Sequence, residues 1–413
     1  MAGQGTAAHA FCIALLGFGL VALTALATAP PSAPRVIVIS WDGVRHDYPE
    51  HAELPALARM AREGARAERL LPVFPSSTFP THVSLATGAR PERHGIIDNR
   101  FRDRERGFFD YGNDASWLLA EPIWVTAERQ GLRAAAYFWV GSETPWRGVA
   151  ATHRMTPFDS SVSEAAKVEQ ILAWLDLPPE ERPQLILSWW HGADRSGHLH
   201  GPDHEAVKQA LRDQDRQLGE LLRGLDARNA WGSTTLLLVS DHGMTRISKS
   251  IQLEAMLEAA GIRAETILSS AVSHVFLEDS GEREKALSAL GSLEGAHAYT
   301  PETLPEPLGL GPASRVGDLV VVAEPPYAFR TGALSEIARG LGKGLGAHGY
   351  DARHPDMAGV LFAMGRGIEP GSRLGVVSAL DVAPSIAALL DIEPPRHAEG
   401  HPIPALGSGP TER

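Results

Sequence analysis

Apolar residues arrive along this chain in short, unbroken, β-branched runs. Arg35–Trp41 (RVIVISW), Ala134–Gly141 (AAAYFWVG), Gln184–His191 (QLILSWWH) and Ser233–Asp241 (STTLLLVSD) are each apolar at consecutive central positions. A strand covered on one face alternates apolar with polar residues, whereas a strand covered on both does not. Between these runs lie segments with helical spacing: Leu54–Glu68, Glu121–Gln130, Ser163–Leu177 and the long His204–Arg228. Alternation of strand and helix predicts an α/β fold, a doubly wound and mostly parallel sheet with helices on both faces. The rhythm changes between His242 and His348. There Ala271–Glu278 and Asp318–Pro326 read as strands, Glu282–Leu293 as a helix, and TPETLPEPLGLGP as a Pro/Gly-rich passage. This predicts a small α+β insertion over residues 245–345. The core pattern resumes with Met357–Gly365 and a last helix over Asp381–Leu390.

The first 34 residues contain no Lys, Arg, Asp or Glu, and residues 11–29 form an uncharged apolar stretch ending in small-x-small sites. Residues 1–29 therefore read as an export signal, leading to the periplasm or the medium, with an uncleaved membrane anchor as the alternative. Residues 35–413 are left as the catalytic domain. Cys12 is the only cysteine, so a cleaved chain has no thiol and no disulfide. Lys and Arg number 38 against 50 Asp and Glu, for a net charge of -12. Such a surface attracts neither nucleic acid nor an anionic membrane. Attraction for an anionic substrate must then be local, and bound cations are a source of it.

Charged and imidazole side chains gather where the strand-like runs end. Asp42 follows the first run (SWDGVR), Asp194 and His198 follow the third (GADRSGH), and Asp241 and His242 follow the fourth (SDHGM). His348 lies in GAHGYD. In open α/β sheets the carboxyl edge is where ligands bind. Taken singly, each cluster is an ordinary turn, since Asp-Gly and His-Gly are common turn dipeptides. Taken together, three carboxylates and three imidazoles make two sites of mixed nitrogen and oxygen ligands. That chemistry suits zinc, with manganese or another transition metal as alternatives. Thr78, in FPSSTFPTHVSLATG, stands at the start of a predicted helix with Pro80 in its first turn. Oriented N–H groups there favour an alkoxide, and the alternative reading is a helix N-cap. Trp117, Trp124, Trp146, Trp174 and Trp231 read as packing residues. His82, His94, His153, His200 and His204 read as hydrogen-bonded structural or exposed side chains.

From residue 35 to 395 the motifs, in this order, resemble the nucleotide pyrophosphatase/phosphodiesterase family of the alkaline phosphatase superfamily. They are the strand ending in WDG, STFPTH, RPERHGIIDN, EPIWVTAERQG with FWVGSE, ADRSGH, VSDHGM, GAHGYD and MAGVLFAMGRGI. The resemblance implies an alkaline-phosphatase-like fold and two divalent cations, zinc first among them. Asp42, Thr78, Asp241 and His242 match the ligands of one, and Asp194, His198 and His348 those of the other. Thr78 also matches the nucleophile, Asn99 a donor to a phosphoryl oxygen, and Phe79 and Trp189 aromatics against the leaving group or base. Three positions depart from the family pattern: Thr81 replaces an Asn, Trp189 a Tyr, and His191 an acid. The implied reaction is in-line hydrolysis of a small phosphodiester or nucleotide substrate through a phospho-threonine, with cations about 4 Å apart on the attacking and leaving oxygens. A phosphomonoesterase of the same superfamily and a catalytically silent metal-binding module are the competing readings. The substrate wall is expected from the insertion and residues 139–150.

Overall fold

Arg35–Trp41 forms strand β1, at the centre of an eight-stranded sheet in the computed structural model. The structure describes residues 33–329 and 345–406, with Met1 and Gly3. The expected export signal, with Cys12, and residues 330–344 of the expected insertion lie outside the described residues. The other seven strands are β2 (Ala65–Arg66), β3 (Ala134–Tyr137), β4 (His153–Met155), β5 (Leu185–Trp190), β6 (Thr234–Val239), β7 (Leu361–Gly365) and β8 (Ser372–Arg373). Their order is β8-β2-β7-β6-β1-β5-β3-β4. From β6 through β4 every pairing is parallel, and β7 runs antiparallel to both β6 and β2.

Both faces of the sheet are covered, which is why the runs do not alternate. Val36, Val38, Leu185, Leu187, Leu237 and Val239 enter one core. That core is closed by helix α2 (Thr78–Thr87) and α6 (Val382–Leu390). Ile37, Ile39, Trp41, Ile186, Leu236 and Leu238 enter the other. It is closed by α1 (Pro55–Glu63), α3 (Glu164–Leu175) and α5 (Glu205–Ala227). Trp124 and Trp146 are buried in the first core and Trp174 in the second.

Several boundaries differ from the pattern in the sequence. The helix expected over Leu54–Glu68 stops at Glu63, because a side chain at Gly64 would meet the Ala363 carbonyl at 2.0 Å. The chain crosses β7 there and continues as β2, so sheet pairing overrides the helical preference of Ala65 and Arg66. The run Ala134–Gly141 is strand only to Tyr137, where Phe138 turns the chain at φ 59°. GADRSGH, expected as a strand-end segment, forms the short helix α4 (Asp194–His200). The helix places Asp194 and His198, four residues apart, on one face.

Within residues 245–345 the chain builds a separate antiparallel sheet. Its strands run in the order Ala264–Leu268, Val272–Leu277, Leu319–Ala323 and Ala296–Tyr299, beside helices Leu253–Ala259 and Arg283–Leu290. Thr245–Ile247 pairs antiparallel with Leu345–Ala347, Thr245 opposite Ala347. That two-strand clasp returns His348 to the segment carrying His242.

The parallel register aligns the strand ends. Ser40 is opposite both Trp189 and Val239, so Asp42, the β5–α4 loop and Asp241 leave the sheet at one edge. Two glycines let the loops close in. An added carbon at Gly192, whose φ is 58°, would fall 2.0 Å from the Asp42 carbonyl oxygen, and one at Gly43 would fall 2.7 Å from Asp194 Cα. The Asp42 carbonyl instead accepts the Ala193 and Asp194 N–H groups at 2.8 and 3.2 Å. Gly192→Ala is expected to cost at least about 1–3 kcal/mol in left-handed strain alone. Denaturant unfolding measures this, and an unshifted midpoint would show that the approach is not tight.

Candidate metal centre

Asp42, Asp194 and Asp241 converge at this edge, and no protein donor pairs all their oxygens. Among the described residues, Asp42 Oδ1, Asp194 Oδ1 and Asp241 Oδ2 are buried without a hydrogen-bond partner. Their other contacts orient the carboxylates: Trp189 Nε1 donates to Asp42 Oδ2 at 2.9 Å, and the Gly43 N–H donates to Asp241 Oδ1 at 3.1 Å. A buried orphaned carboxylate oxygen is expensive. Burial, and then the neighbouring charges of Asp241 and Asp194, push the Asp42 carboxyl well above its ordinary range.

The imidazoles answer the carboxylates in a common geometry. His198 Nδ1 lies 3.0 Å from the Gly346 carbonyl, His348 Nδ1 3.0 Å from the Ser76 carbonyl, and His242 Nδ1 2.9 Å from the Gly243 carbonyl. A carbonyl only accepts, so each Nδ1 carries a proton. In the neutral ring each Nε2 then holds a lone pair, and these atoms face the carboxylates. His198 Nε2 is 3.2 Å and His348 Nε2 3.6 Å from Asp194 Oδ1. His242 Nε2 is 3.2 Å from Asp241 Oδ2 and 3.6 Å from Asp42 Oδ1. The His242 and His348 rings stack at 3.7 Å. A carbonyl-bound imidazole presenting its far nitrogen to a carboxylate cluster is the outer-sphere arrangement of metal-ligating histidines.

Two groups of ligand atoms lie within 4.8 Å of one another: Asp194, His198 and His348, and Asp42, Asp194 and His242. The first is the trio matched to one cation in the sequence. In the second Asp194 stands beside Asp42 and His242, so this carboxylate faces both groups. The donor set therefore fits divalent cations, with nitrogen and oxygen donors, orphaned oxygens and fixed tautomers. Burial raises the Asp194 carboxyl, but His198, His348 and His242 outweigh it and hold the group below its usual range. Burial together with the His242 and His198 charges keeps the His348 imidazole well below ordinary.

Thr78 is half-buried at the first position of α2, with Oγ1 3.3 Å from His242 Nε2. The N-cap is Ser77, so the alternative reading of Thr78 as cap is not met. The Phe79 N–H donates to Asn99 Oδ1 at 2.8 Å. That bond orients the Asn99 amide, whose Nδ2 points to the Tyr111 hydroxyl. Phe79 is half-buried, its ring edge-on to Tyr111 at 5.2 Å. Trp189 packs between Phe158 (5.5 Å) and the buried Lys167 ammonium (4.8 Å from the ring).

Three participants escaped the sequence pattern. Tyr111, exposed and at φ 47°, sits with its hydroxyl 3.4 Å from Asn99 Nδ2 because the hairpin Arg100–Asp103/Gly107–Asp110 folds back. Nothing in FFDYGND signals that return. Glu164 lies 2.6 Å from His191 Nδ1, so the acid missing from position 191 is supplied beside it by α3. Burial opposes the charge on Glu164, yet the His191 hydrogen bond and the Lys167 charge hold its carboxyl down to about 2. His82, read as structural, touches Asp241 Oδ2 at 3.4 Å.

Residues 36–351 match the family model described as type I phosphodiesterase/nucleotide pyrophosphatase. An uncharacterised pyrophosphatase/phosphodiesterase of Schizosaccharomyces pombe is 32% identical over 375 residues, 86% of this chain and 77% of that protein. A bis(5'-adenosyl)-triphosphatase of Mus musculus is 30% identical over 375 residues, 88% of this chain and 79% of that protein. Murine ectonucleotide pyrophosphatase/phosphodiesterase 5 superposes with a TM-score of 0.81 at 26% identity, covering 89% of this chain and 96% of that one. It is known also as an inactive Thr-to-Ala variant in complex with AMP.

Zinc added to chelator-treated protein is expected to raise the Tm and release protons, since ligation needs Asp42 ionised. The gain is about 2.7 kcal/mol at a hundredfold excess of free zinc over its Kd. A Tm indifferent to zinc and to manganese would remove the metal centre.

Proposed function

The chain belongs to the type I phosphodiesterase/nucleotide pyrophosphatase family, a family of metal-dependent hydrolases of phosphodiester and pyrophosphate bonds, and on that premise we propose which residues perform the reaction. Thr78 is the nucleophile. Asp42, Thr78, Asp241 and His242 hold one divalent cation and Asp194, His198 and His348 a second, both zinc, with Asp194 facing the two. The observation that carries this reading is the Thr78 hydroxyl at 3.3 Å from His242 Nε2, at the rim of three orphaned carboxylate oxygens and three carbonyl-locked imidazoles. When bound, the cations supply Lewis acidity: they lower the pKa of a hydroxyl or water and offset charge on the phosphoryl oxygens.

The chain's own groups supply aim and polarity. The first turn of α2 presents oriented N–H groups beside Thr78, favouring the charge that its oxygen takes on. Thr78 Oγ forms a bond to phosphorus as the leaving oxygen departs from the opposite side. Water then cleaves the phospho-threonine, restores the hydroxyl, and one water has been added across one P–O bond. Asn99 Nδ2, oriented by the Phe79 bond, donates to a non-bridging oxygen, a contribution of about 3 kcal/mol when aimed at developing charge. Phe79 and Trp189 flank the leaving group or base, and Tyr111 extends that wall beside Asn99. The substrate is a small nucleotide or other phosphodiester, in keeping with the AMP complex of the murine relative. The charge-free leader over residues 1–29 directs the chain out of the cytoplasm, to the periplasm or the medium. No helix among the described residues is long and apolar enough to cross a membrane.

Thr78→Ala is expected to lower turnover by about 10³-fold or more while zinc content stays largely intact. Elemental analysis beside steady-state rates decides it, and a variant that keeps most of its activity would displace Thr78 as nucleophile. Bis-p-nitrophenyl phosphate should be cleaved faster than p-nitrophenyl phosphate. A strong monoester preference would make the chain a phosphomonoesterase instead.

A further inference from the structure

His82 is completely buried in α2 and makes polar contacts with three other parts of the site at once. Its Nδ1 lies 2.8 Å from the carbonyl oxygen of Thr78, one turn back along the helix, and 3.4 Å from Asp241 Oδ2. Its Nε2 lies 2.7 Å from Ser40 Oγ, on the strand that ends in Asp42. The ring is fixed edge-on against Trp139 at 5.2 Å, and Trp139 Nε1 donates to the His82 carbonyl. Those contacts leave it one orientation.

Proton bookkeeping then fixes the direction of each bond. A carbonyl and a carboxylate oxygen both accept, so Nδ1 carries the hydrogen; it donates to the Thr78 carbonyl and turns the same polar edge toward Asp241 Oδ2, in close contact short of a hydrogen bond. In the neutral ring Nε2 then accepts from the Ser40 hydroxyl. The hydrogen bonds run from Ser40 through His82 to the Thr78 backbone, and the Nδ1 edge of the ring also lies against Asp241 Oδ2. The ring thereby ties together β1, the start of α2 and the end of β6, the three segments that carry Asp42, Thr78 and Asp241.

We infer that His82 is a positioning residue, whose Nδ1–H holds Asp241 Oδ2 and the Thr78 backbone in register so that one cation of the pair is bound tightly. This rests on the metal reading above. It goes beyond that reading in assigning an outer-sphere role to a histidine that is not a ligand and that the sequence marks only as structural. It also accounts for Asp241 Oδ2, which has no hydrogen bond among the described residues and lies against the His82 and His242 rings. Outer-sphere partners of this kind typically change metal affinity by about 10–100-fold.

Asparagine and glutamine separate the two ends of the ring. The amide nitrogen of an asparagine side chain falls near the imidazole Nδ1, and that of glutamine near Nε2. Zinc is titrated into chelator-treated full-length protein against a chromophoric competitor, first for wild type and then for His82→Asn, His82→Gln and His82→Leu. The wild-type titration tests the metal reading by itself, and two tight equivalents are expected. In His82→Leu and His82→Gln one equivalent should weaken by about 10–100-fold while the other keeps its wild-type affinity, and His82→Asn should stay near wild type. The thermal transition of each metal-free variant reports folding separately. Should His82→Leu fail to fold, the Asn and Gln pair still decides. Wild-type affinity for both equivalents in His82→Gln overturns the inference, leaving His82 as a packing residue. So does an equal weakening of both equivalents in His82→Asn and His82→Gln.

Discussion

Three carboxylates share a pocket in which the protein offers too few donors to satisfy them, and the arrangement of the site follows from that shortage. Like charges this close raise one another's pKa and destabilise the fold unless a positive charge compensates. Among the described residues, no Lys or Arg pairs with the orphaned oxygens of Asp42, Asp194 and Asp241. The nearest partners are imidazoles whose Nδ1 protons are already given to the Gly346, Ser76 and Gly243 carbonyls. What faces the carboxylates is therefore the Nε2 edge of each ring, which in the neutral imidazole carries a lone pair. A site built of lone pairs around partly buried acids is a site for cations, and on an acidic protein it is also where an anionic substrate can be drawn in.

Bringing the acids together is the work of the sheet. Parallel pairing of β6, β1 and β5 sets Ser40 level with Val239 and Trp189, so three strand ends open at one edge. Gly43 and Gly192 then allow the two loops to pass at distances that a side chain would forbid. His348 comes from a hundred residues further along and arrives through the Thr245–Ile247/Leu345–Ala347 clasp at the base of the antiparallel subdomain. That excursion thus delivers a side chain to the centre as well as building mass beside it.

The substrate side shows how a family position can change residue without emptying its chemistry. His191 stands where an acid is common, yet the Glu164 carboxylate sits against its Nδ1 and the buried Lys167 ammonium against Glu164. The same ammonium lies over Trp189, whose indole N–H orients Asp42. Trp189 is therefore one contact from a carboxylate at the centre, and His191 is joined to it through Glu164, Lys167 and Trp189.

Much of this was legible in the chain alone. Unbroken apolar runs specify strands covered on both faces, because only a parallel sheet between helices excludes water from consecutive side chains. Acidic and imidazole residues at the ends of several of those runs together point to a ligand-binding edge, because turns account for each cluster singly but not for all of them at one edge. The helix that stops at Gly64 and the strand that stops at Phe138 were not legible. Both are set by what lies across the fold, the Ala363 carbonyl in one case and the turn into the core in the other. Nor could the chain reveal that Ser77 takes the N-cap position of α2, that Glu164 meets His191, or that Tyr111 reaches Asn99. These are contacts between segments remote in sequence or turned by a hairpin, and local pattern carries no record of them. Residue types determined which chemistry is available; only packing decided which atoms carry the protons and which lone pairs are left to meet a cation.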